Sequence, residues 1–253
     1  MDEASKTNQF RGAAFKRDYL SGRVIDIGAG PDLVVPHAVP FDLEQGDAQS
    51  ILDYFRPQSF DCVHSSHCLE HMRDVPGALT QWWSLVAPGG YLIIVVPHED
   101  LYEQGAWPSL FNPDHKATFN LGRCGDWSGV SFDLGALVAS LAGAEIVEAR
   151  IQDHGLDHHL VRRRVTHLGR LLFRLSPRRR RFLARLMNRG LPVYRLDLAI
   201  ERLERLLGKP IDQTLGPALA QIQVVARKVG TRDLESRPER PNPDRLRQAL
   251  TRK

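Results

Sequence analysis

The chain has 253 residues, of which 42% are hydrophobic and 25% are charged. These proportions are close to globular averages, so they exclude a wholly disordered chain and predict a large folded core. The three cysteines are odd in number and lack the spacing of metal ligands, which argues against a disulfide framework and predicts a reducing, cytoplasmic environment. The sequence has no window of about 20 apolar residues, so no transmembrane helix is expected. The polar, acidic N-terminus is unlike a signal peptide.

Charge is unevenly distributed along the chain, although the formal net charge is only +4. Residues 1–154 include 10 basic and 21 acidic residues, a net charge of −11. Residues 155–210 include 15 basic and 4 acidic residues, a net charge of +11. A block so different from its surroundings indicates an insertion with its own partner.

Strands and helices alternate along most of the chain. A short polar helix is predicted over residues 5–20, and the apolar run RVIDIGAG (23–30) predicts a buried strand that ends in a tight turn. Further strands are predicted at 38–43, 60–66, 91–97, 144–152 and 220–228, with helices at 74–87 and 132–142. This alternation is typical of a doubly wound, mostly parallel α/β sheet, in which ligands bind beyond the carboxyl ends of the strands.

The basic segment predicts three amphipathic helices, because leucines recur at helical spacing between the arginines of residues 158–175, 178–190 and 196–208. Ser176-Pro177 would begin the second helix, since proline is favoured in a first helical turn. The polar, proline-interrupted residues beyond Gly230 predict a mobile tail.

A glycine turn follows the first strand directly, in the sequence Asp26-Ile27-Gly28-Ala29-Gly30. Glycines allow a sharp turn and a close approach of the backbone to a ligand. The third glycine of the dinucleotide fingerprint is absent, and an ordinary strand-to-helix turn is the alternative interpretation.

Several motifs occur together with this turn: an acidic strand end, Gly-Asp-Ala (46–48), FDCVHSSHCLEH (60–71) and APGGYLIIVVP (87–97). In this order they resemble class I methyltransferases that use S-adenosylmethionine, and most closely the methyltransferase type 11 group. The resemblance covers residues 20–97 and reaches 152, and 220–228 matches the family's antiparallel last strand. It implies a Rossmann-like core (1–154) and a return to the core with the last strand (211–229). The charge and helical spacing of the segment between them predict a helical insertion that acts as a lid or dimerisation unit (155–210), and the mobile tail is predicted over 230–253.

The resemblance also implies a cofactor site. Asp26 would hold the glycine turn, Asp42 would accept hydrogen bonds from the ribose hydroxyls, and Asp47 with Ala48 would bind the adenine. The residues implied at the S-adenosylmethionine site are Asp26, Gly28, Ala29, Gly30, Asp42, Asp47, Ala48, Ser65, Ser66 and His67.

One departure from the family pattern concerns these acids. Only eleven residues lie between Gly30 and Asp42, too few for a full helix and strand. Asp42 and Asp47 could therefore belong to one loop, where either would be a turn or cap residue.

The loop over residues 98–120 is rich in histidine, aromatic residues and charge. Loops of this length in compact domains are usually functional, so we expect it to bind the methyl acceptor. Tyr102, Trp107 and Phe111 are the candidate acceptor-binding residues. His98 and His115 are the candidate bases, because a neutral histidine can take a hydroxyl proton near pH 7. The alternative is that these residues only hold the loop together.

Two other groups of residues in and before this loop offer ligand or catalytic chemistry. His98-Glu99-Asp100 with His115 offers metal-ligand types without a diagnostic spacing, so no metal site is predicted. Glu70-His71 is interpreted as ordering the start of a helix.

The arginine runs Arg162–Arg164 and Arg178–Arg181 leave three interpretations open. They could form a solvated face of a lid or dimerisation unit, or a surface for an anionic lipid or lipid-linked saccharide. Nucleic acid is disfavoured as a partner, because the runs lack an RNA-binding motif and interleaved aromatic residues.

The sequence thus predicts a cytoplasmic S-adenosylmethionine-dependent methyltransferase that modifies a small molecule or saccharide at oxygen. The alternatives are an RNA methyltransferase that uses the basic insertion and a non-catalytic binding module that retains the fold.

Overall fold

The computed structural model describes residues 3–123, 127–161, 164–189 and 191–230. Its main sheet has six strands in the order β2-β1-β3-β4-β8-β7. Strands β1 to β4 are parallel, whereas β8 is antiparallel to both of its neighbours. These strands are β1 (Val24–Ile27), β2 (Val39–Phe41), β3 (Phe60–Ser66), β4 (Val86–Pro97), β7 (Ala144–Gln152) and β8 (Gln221–Lys228). The doubly wound, Rossmann-like fold and its antiparallel last strand are as predicted.

Six α-helices and a small second sheet accompany the main sheet in the described residues. The helices are α1 (Glu3–Asn8), α2 (Ala13–Tyr19), α3 (Val75–Leu85), α4 (Leu134–Ala139), α5 (His167–Asn188) and α6 (Tyr194–Leu206). The second sheet pairs β5 (Thr118–Asn120) with β6 (Ser131–Asp133) in parallel.

The centre of the main sheet is covered on both faces, which the continuous apolar run of β4 predicts. Leu92 and Ile94 belong to one buried cluster, and Ile93 belongs to a second. Helix α3 packs on the larger cluster through the fully buried Trp82, and its N-terminus is capped by the Asp74 side chain, which accepts from Gly77 N–H. Because β1 to β4 are parallel, their carboxyl ends lie at one edge of the sheet, and this packing holds them there.

The predicted helix over residues 5–20 is wrong in one respect, because it is broken into α1 and α2. Arg11 lies at the break and is 4% exposed. Its guanidinium donates to Gln223 Oε1 (2.7 and 3.1 Å) on β8 and lies 3.2 Å from His64 Nε2 on β3. The break between α1 and α2 therefore coincides with a tertiary contact of Arg11 to two interior strands of the sheet.

The prediction of three helices in the basic segment is also wrong, because α5 runs through Pro177. Proline inside a helix removes one backbone hydrogen bond and costs about 3 kcal/mol. The helix nevertheless continues beside α6, where Arg179 pairs with Asp197 (3.2 Å) and with Glu204. The helix begins only at His167, where the Thr166 side chain accepts from Gly169 N–H.

Parts of the predictions lie outside the described residues, namely Arg162, Arg163 and nearly all of the predicted tail. Within the described residues, no helix is long and apolar enough to cross a membrane.

Candidate functional site

A cleft opens at the carboxyl edge of β1, β2 and β3. Its main lobe has a volume of about 730 Å³, and a smaller lobe has about 330 Å³. Gly28, Asp42 and His67 line both lobes, so the two spaces adjoin. Small-molecule sites typically have volumes of about 300–1,000 Å³.

The two glycines of the turn after β1 have different roles. Gly28 has φ +76°, and a Cβ atom there would lie 2.4 Å from the Cβ atom of Cys68. Gly30 has φ +52°, and the nearest atom to its Cβ would be Asp42 Oδ2 at 3.9 Å. Glycine at 28 is therefore required by packing inside the protein, whereas Gly30 borders the open space of the smaller lobe, which Ala29 also lines.

Asp26 holds this turn from below. Its carboxylate is 1% exposed and accepts from Val34 N–H (2.6 Å) and from His64 Nδ1 (2.6 Å). Burial lowers the pKa of His64 despite the neighbouring Asp26 carboxylate. Since Nδ1 donates to Asp26, the other ring nitrogen accepts from Arg11. The chain from Arg11 to Asp26 connects the N-terminal helices to the cleft.

Asp42 and Asp47 belong to one loop, the alternative that the short spacing left open. Asp42 accepts from Gly30 N–H and from Leu43 N–H, both at 2.7 Å. Asp47 caps a 3₁₀ turn (Ala48–Asp53) by accepting from Gln49 N–H, and its carboxylate lies 3.2 Å from Arg73. These bonds hold the loop, yet both carboxylates line the main lobe together with Ala48.

The end of β3 contributes the residues beneath the cleft. Ser65 and Ser66 are buried, and Ser66 lines the smaller lobe. The Ser66 hydroxyl is itself buried and has no hydrogen-bond partner among the described residues. His67 has φ +55° and its Nε2 lies 3.0 Å from Gln221 Oε1.

His98 and His115 have different surroundings. His98 caps a single π-helical turn (Glu99–Glu103), because its Nδ1 accepts from Asp100 N–H (3.1 Å). Burial, reinforced by the Arg123 charge, lowers its pKa to about 4. His98 lines neither lobe, and its acceptor nitrogen is occupied, so this geometry suits a structural role.

His115 lies beside the main lobe and is 7% exposed. Its Nδ1 is 2.7 Å from Glu103 Oε1, and its Nε2 is 4.0 Å from Glu70 Oε1. Burial by itself would lower its pKa, but the hydrogen bond with Glu103 and the charge of Glu70 outweigh burial and raise that pKa.

His71, predicted from the sequence to order a helix start, lies in the wall of the main lobe. Its Nδ1 lies 2.9 Å from Asp114 Oδ2, and its ring packs edge-on to His115 with centroids 5.1 Å apart. The preceding Glu70 is 1% exposed. The position of CLEH directly after the β3 strand end was the signal available in the sequence.

The aromatic residues predicted to bind the acceptor line neither lobe of the cleft. Tyr102 packs against His115, with ring centroids 5.4 Å apart, and against Phe111. Phe111 also contacts Phe173 of α5, and the Trp107 carbonyl accepts from Arg170. Phe111 and Trp107 therefore join the loop over residues 98–120 to α5.

Comparison with known proteins identifies one family. Residues 5–121 match the family model described as a methyltransferase domain. No curated protein matches the chain significantly.

Solved structures resemble the chain at low sequence identity. The YcgJ protein of Bacillus subtilis is 13% identical over 90% of this chain and 98% of its own, with a TM-score of 0.45. A SAM-dependent methyltransferase of Archaeoglobus fulgidus is 17% identical over 89% and 94%, with a TM-score of 0.44. Phosphoethanolamine N-methyltransferase 2 of Haemonchus contortus is 14% identical over 86% and 52%, with a TM-score of 0.42.

Proposed function

We propose that this chain, whose residues 5–121 match a methyltransferase domain, is an S-adenosylmethionine-dependent methyltransferase that methylates a hydroxyl oxygen of a small molecule or saccharide. The observation that carries the proposal is the group of histidines and carboxylates beside the main lobe. His71 and His115 each have a carboxylate at Nδ1, from Asp114 and Glu103 respectively.

The cleft has the chemistry that S-adenosylmethionine requires. The smaller lobe is lined by Glu3, Asp26, Asp32 and Asp42, and these acids suit a ligand with a sulfonium and an ammonium group. Ser66 and His67, which also line the smaller lobe, would lie at the amino-acid end. Asp42 would bind the ribose diol with its remaining lone pairs, and Asp47 with Ala48 would bind the adenine.

When bound, S-adenosylmethionine supplies an electrophilic methyl group, so alignment with the acceptor accounts for much of the rate. A hydroxyl acceptor must also lose its proton as the oxygen–carbon bond forms and the sulfur–carbon bond breaks. His71 lines the lobe and Asp114 orients its ring, while His115 lies next to it. These histidines would accept the hydroxyl proton of the acceptor. A neutral amine acceptor would not need such a base.

Methyl transfer to oxygen is tested with labelled S-adenosylmethionine and fractionated small molecules and saccharides. We expect a labelled methyl ether, identified by the carbon chemical shift of the methyl group. His71→Ala should keep cofactor affinity and lower turnover by about 10²–10⁴-fold. His158→Ala, which changes an exposed histidine paired with Asp153 (2.8 Å), is the matched control. Label found only on nitrogen, or only on RNA, would contradict the proposal.

The outer face of α5 supports an acceptor held at an anionic lipid surface. Leu168, Leu171, Leu175 and Phe182 are 46, 53, 42 and 58% exposed, and their spacing places them on one stripe of the helix. The helix holds seven arginines and no acidic residue. Exposed apolar side chains beside arginine are typical of helices that lie in a membrane interface. A lipid-linked saccharide would be presented at such a surface.

Vesicle sedimentation tests this partner. The chain should bind vesicles that contain anionic lipid and not neutral ones, and Phe182→Ser should weaken binding. Val147→Ser, which changes a 44% exposed residue of β7, is the control. A concentration-dependent dimer that is lost in Phe182→Ser, without vesicle binding, would show that the stripe binds a second copy of the chain instead.

A further inference from the structure

Glu70, His71 and His115 form a compact group at the wall of the main lobe. One ligand atom from each of the three lies within 4.8 Å of the others. Residues 70 and 115 are distant in sequence, and they are joined because the backbone N–H groups of Lys116 and Ala117 donate to the Glu70 carbonyl (2.8 and 3.2 Å). The group is therefore held by backbone hydrogen bonds rather than by flexible side chains alone.

Both histidines are oriented in the manner of metal ligands. A carboxylate lies at Nδ1 of each ring, Glu103 Oε1 at 2.7 Å from His115 and Asp114 Oδ2 at 2.9 Å from His71. An ionised carboxylate only accepts hydrogen bonds, so each ring carries its proton on Nδ1 and presents the lone pair of Nε2. Metal-ligating histidines almost always have such a partner at the second nitrogen.

Glu70 supplies the independent observation that points to a ligand. Its side chain is 1% exposed, and neither carboxylate oxygen has a hydrogen-bond partner among the described residues. His67 Nδ1 at 3.6 Å and His115 Nε2 at 4.0 Å are too distant to donate a normal hydrogen bond. A buried carboxylate without a partner is costly, and a bound cation would remove that cost.

A transition-metal ion would draw the three ligand atoms closer together. Zinc lies about 2.0–2.2 Å from nitrogen and oxygen ligands, so two ligand atoms of a tetrahedral site are about 3.3–3.6 Å apart. The distance of 4.0 Å between His115 Nε2 and Glu70 Oε1 exceeds this by about 0.4 Å, and the bound of 4.8 Å for the whole group exceeds it by about 1.2 Å. Small rotations of the two histidine side chains would supply this contraction.

We propose that Glu70, His71 and His115 bind a divalent transition-metal cation such as Zn²⁺ or Mn²⁺. Two imidazoles and one carboxylate leave coordination positions open toward the lobe that His71 lines. When the cation is bound, the Nε2 lone pair of His71 is used in coordination, so the cation would replace the histidine as the activating group. It would bind the acceptor oxygen and lower the pKa of its hydroxyl, so that the proton leaves to water. Only this role in activation depends on the proposed methyl transfer to oxygen, and the cation site stands apart from it.

Calorimetry of the full, untagged chain after treatment with chelator tests the site, with Zn²⁺ and Mn²⁺ titrated separately and no cofactor present. We expect one saturable site for at least one of the two ions. Glu70→Gln keeps the side-chain shape and should weaken that site by more than about 100-fold. Glu103→Gln, which changes only the partner of His115, should weaken it by about 10–100-fold. His158→Ala should leave it unchanged, because the exposed His158–Asp153 pair lacks a third ligand in the described structure.

Thermal unfolding and cofactor affinity of Glu70→Gln show whether the variant is folded. Binding of both ions to this variant as tightly as to the unchanged chain, or no saturable binding to the unchanged chain, would overturn the site. Methylation of a hydroxyl at full rate in excess chelator would overturn the activating role and leave the proposed function intact. Metal binding without methylation of any hydroxyl would support the site and contradict the proposed function.

Discussion

The replacement of His98 by asparagine separates a structural histidine from a catalytic one. His98 accepts from Asp100 N–H and is 7% exposed, and its pKa of about 4 lies well below the ordinary value of 6.5. Above pH 6.5 the ring is neutral in the folded and unfolded chain. As the pH falls from 6.5 toward 4, the unfolded chain binds a proton that the folded chain does not. The free energy of unfolding therefore falls, by up to about 3 kcal/mol for a difference of about 2.5 pKa units.

Asparagine can also accept the Asp100 N–H but does not titrate. His98→Asn should therefore remove this pH dependence. As the pH falls from 6.5 to 4, the free energy of unfolding of the variant should rise relative to that of the unchanged chain. Urea unfolding at intervals of half a pH unit measures this difference, with His37→Asn as a control at an exposed position. Methyl transfer at neutral pH should be nearly unchanged in His98→Asn. Parallel stability curves would refute the burial argument, and loss of turnover with intact stability would restore His98 as a base.

Three other changes test the cleft and its support. Gly30→Ala should cost about 1–2 kcal/mol of stability, because the backbone at this position is left-handed. It should also weaken S-adenosylmethionine binding in calorimetry, because the new Cβ atom would border the smaller lobe. The control is Gly89→Ala, with φ +82° and no atom within 4 Å of the new Cβ, which should cost a similar amount of stability without changing affinity. Gly28→Ala should destabilise the chain more than either, since its Cβ would lie 2.4 Å from that of Cys68, and a thermal midpoint equal to that of Gly30→Ala would contradict this. Asp26→Ala should cost about 3–5 kcal/mol in urea unfolding, because it removes the partner of a buried histidine and of Val34 N–H; a loss below about 1 kcal/mol would show that the network is not important for stability.

The sequence by itself determined the elements whose cause is local. The apolar run at 91–97 predicts a strand because every residue in it is compatible with burial on both faces, and Asp74 caps α3 within its own first turn. The glycine turn after β1 is also local, because Gly28 and Gly30 have positive φ angles, which glycine adopts more readily than other residues. These features predicted the fold and the edge of the sheet at which a ligand would bind.

The tertiary structure alone decided which polar residues meet. Proline at 177 predicts a helix start, yet α5 continues through it and packs beside α6, where Arg179 pairs with Asp197 and Glu204. His98 and His115 are equivalent by sequence, yet one accepts a backbone N–H of its own turn and the other faces Glu103. Glu70 lies close to His115 because the loop after β4 returns to the segment that follows β3. There the backbone N–H groups of Lys116 and Ala117 donate to the Glu70 carbonyl. Such contacts depend on the path of the backbone between distant residues, which local pattern and spacing do not determine.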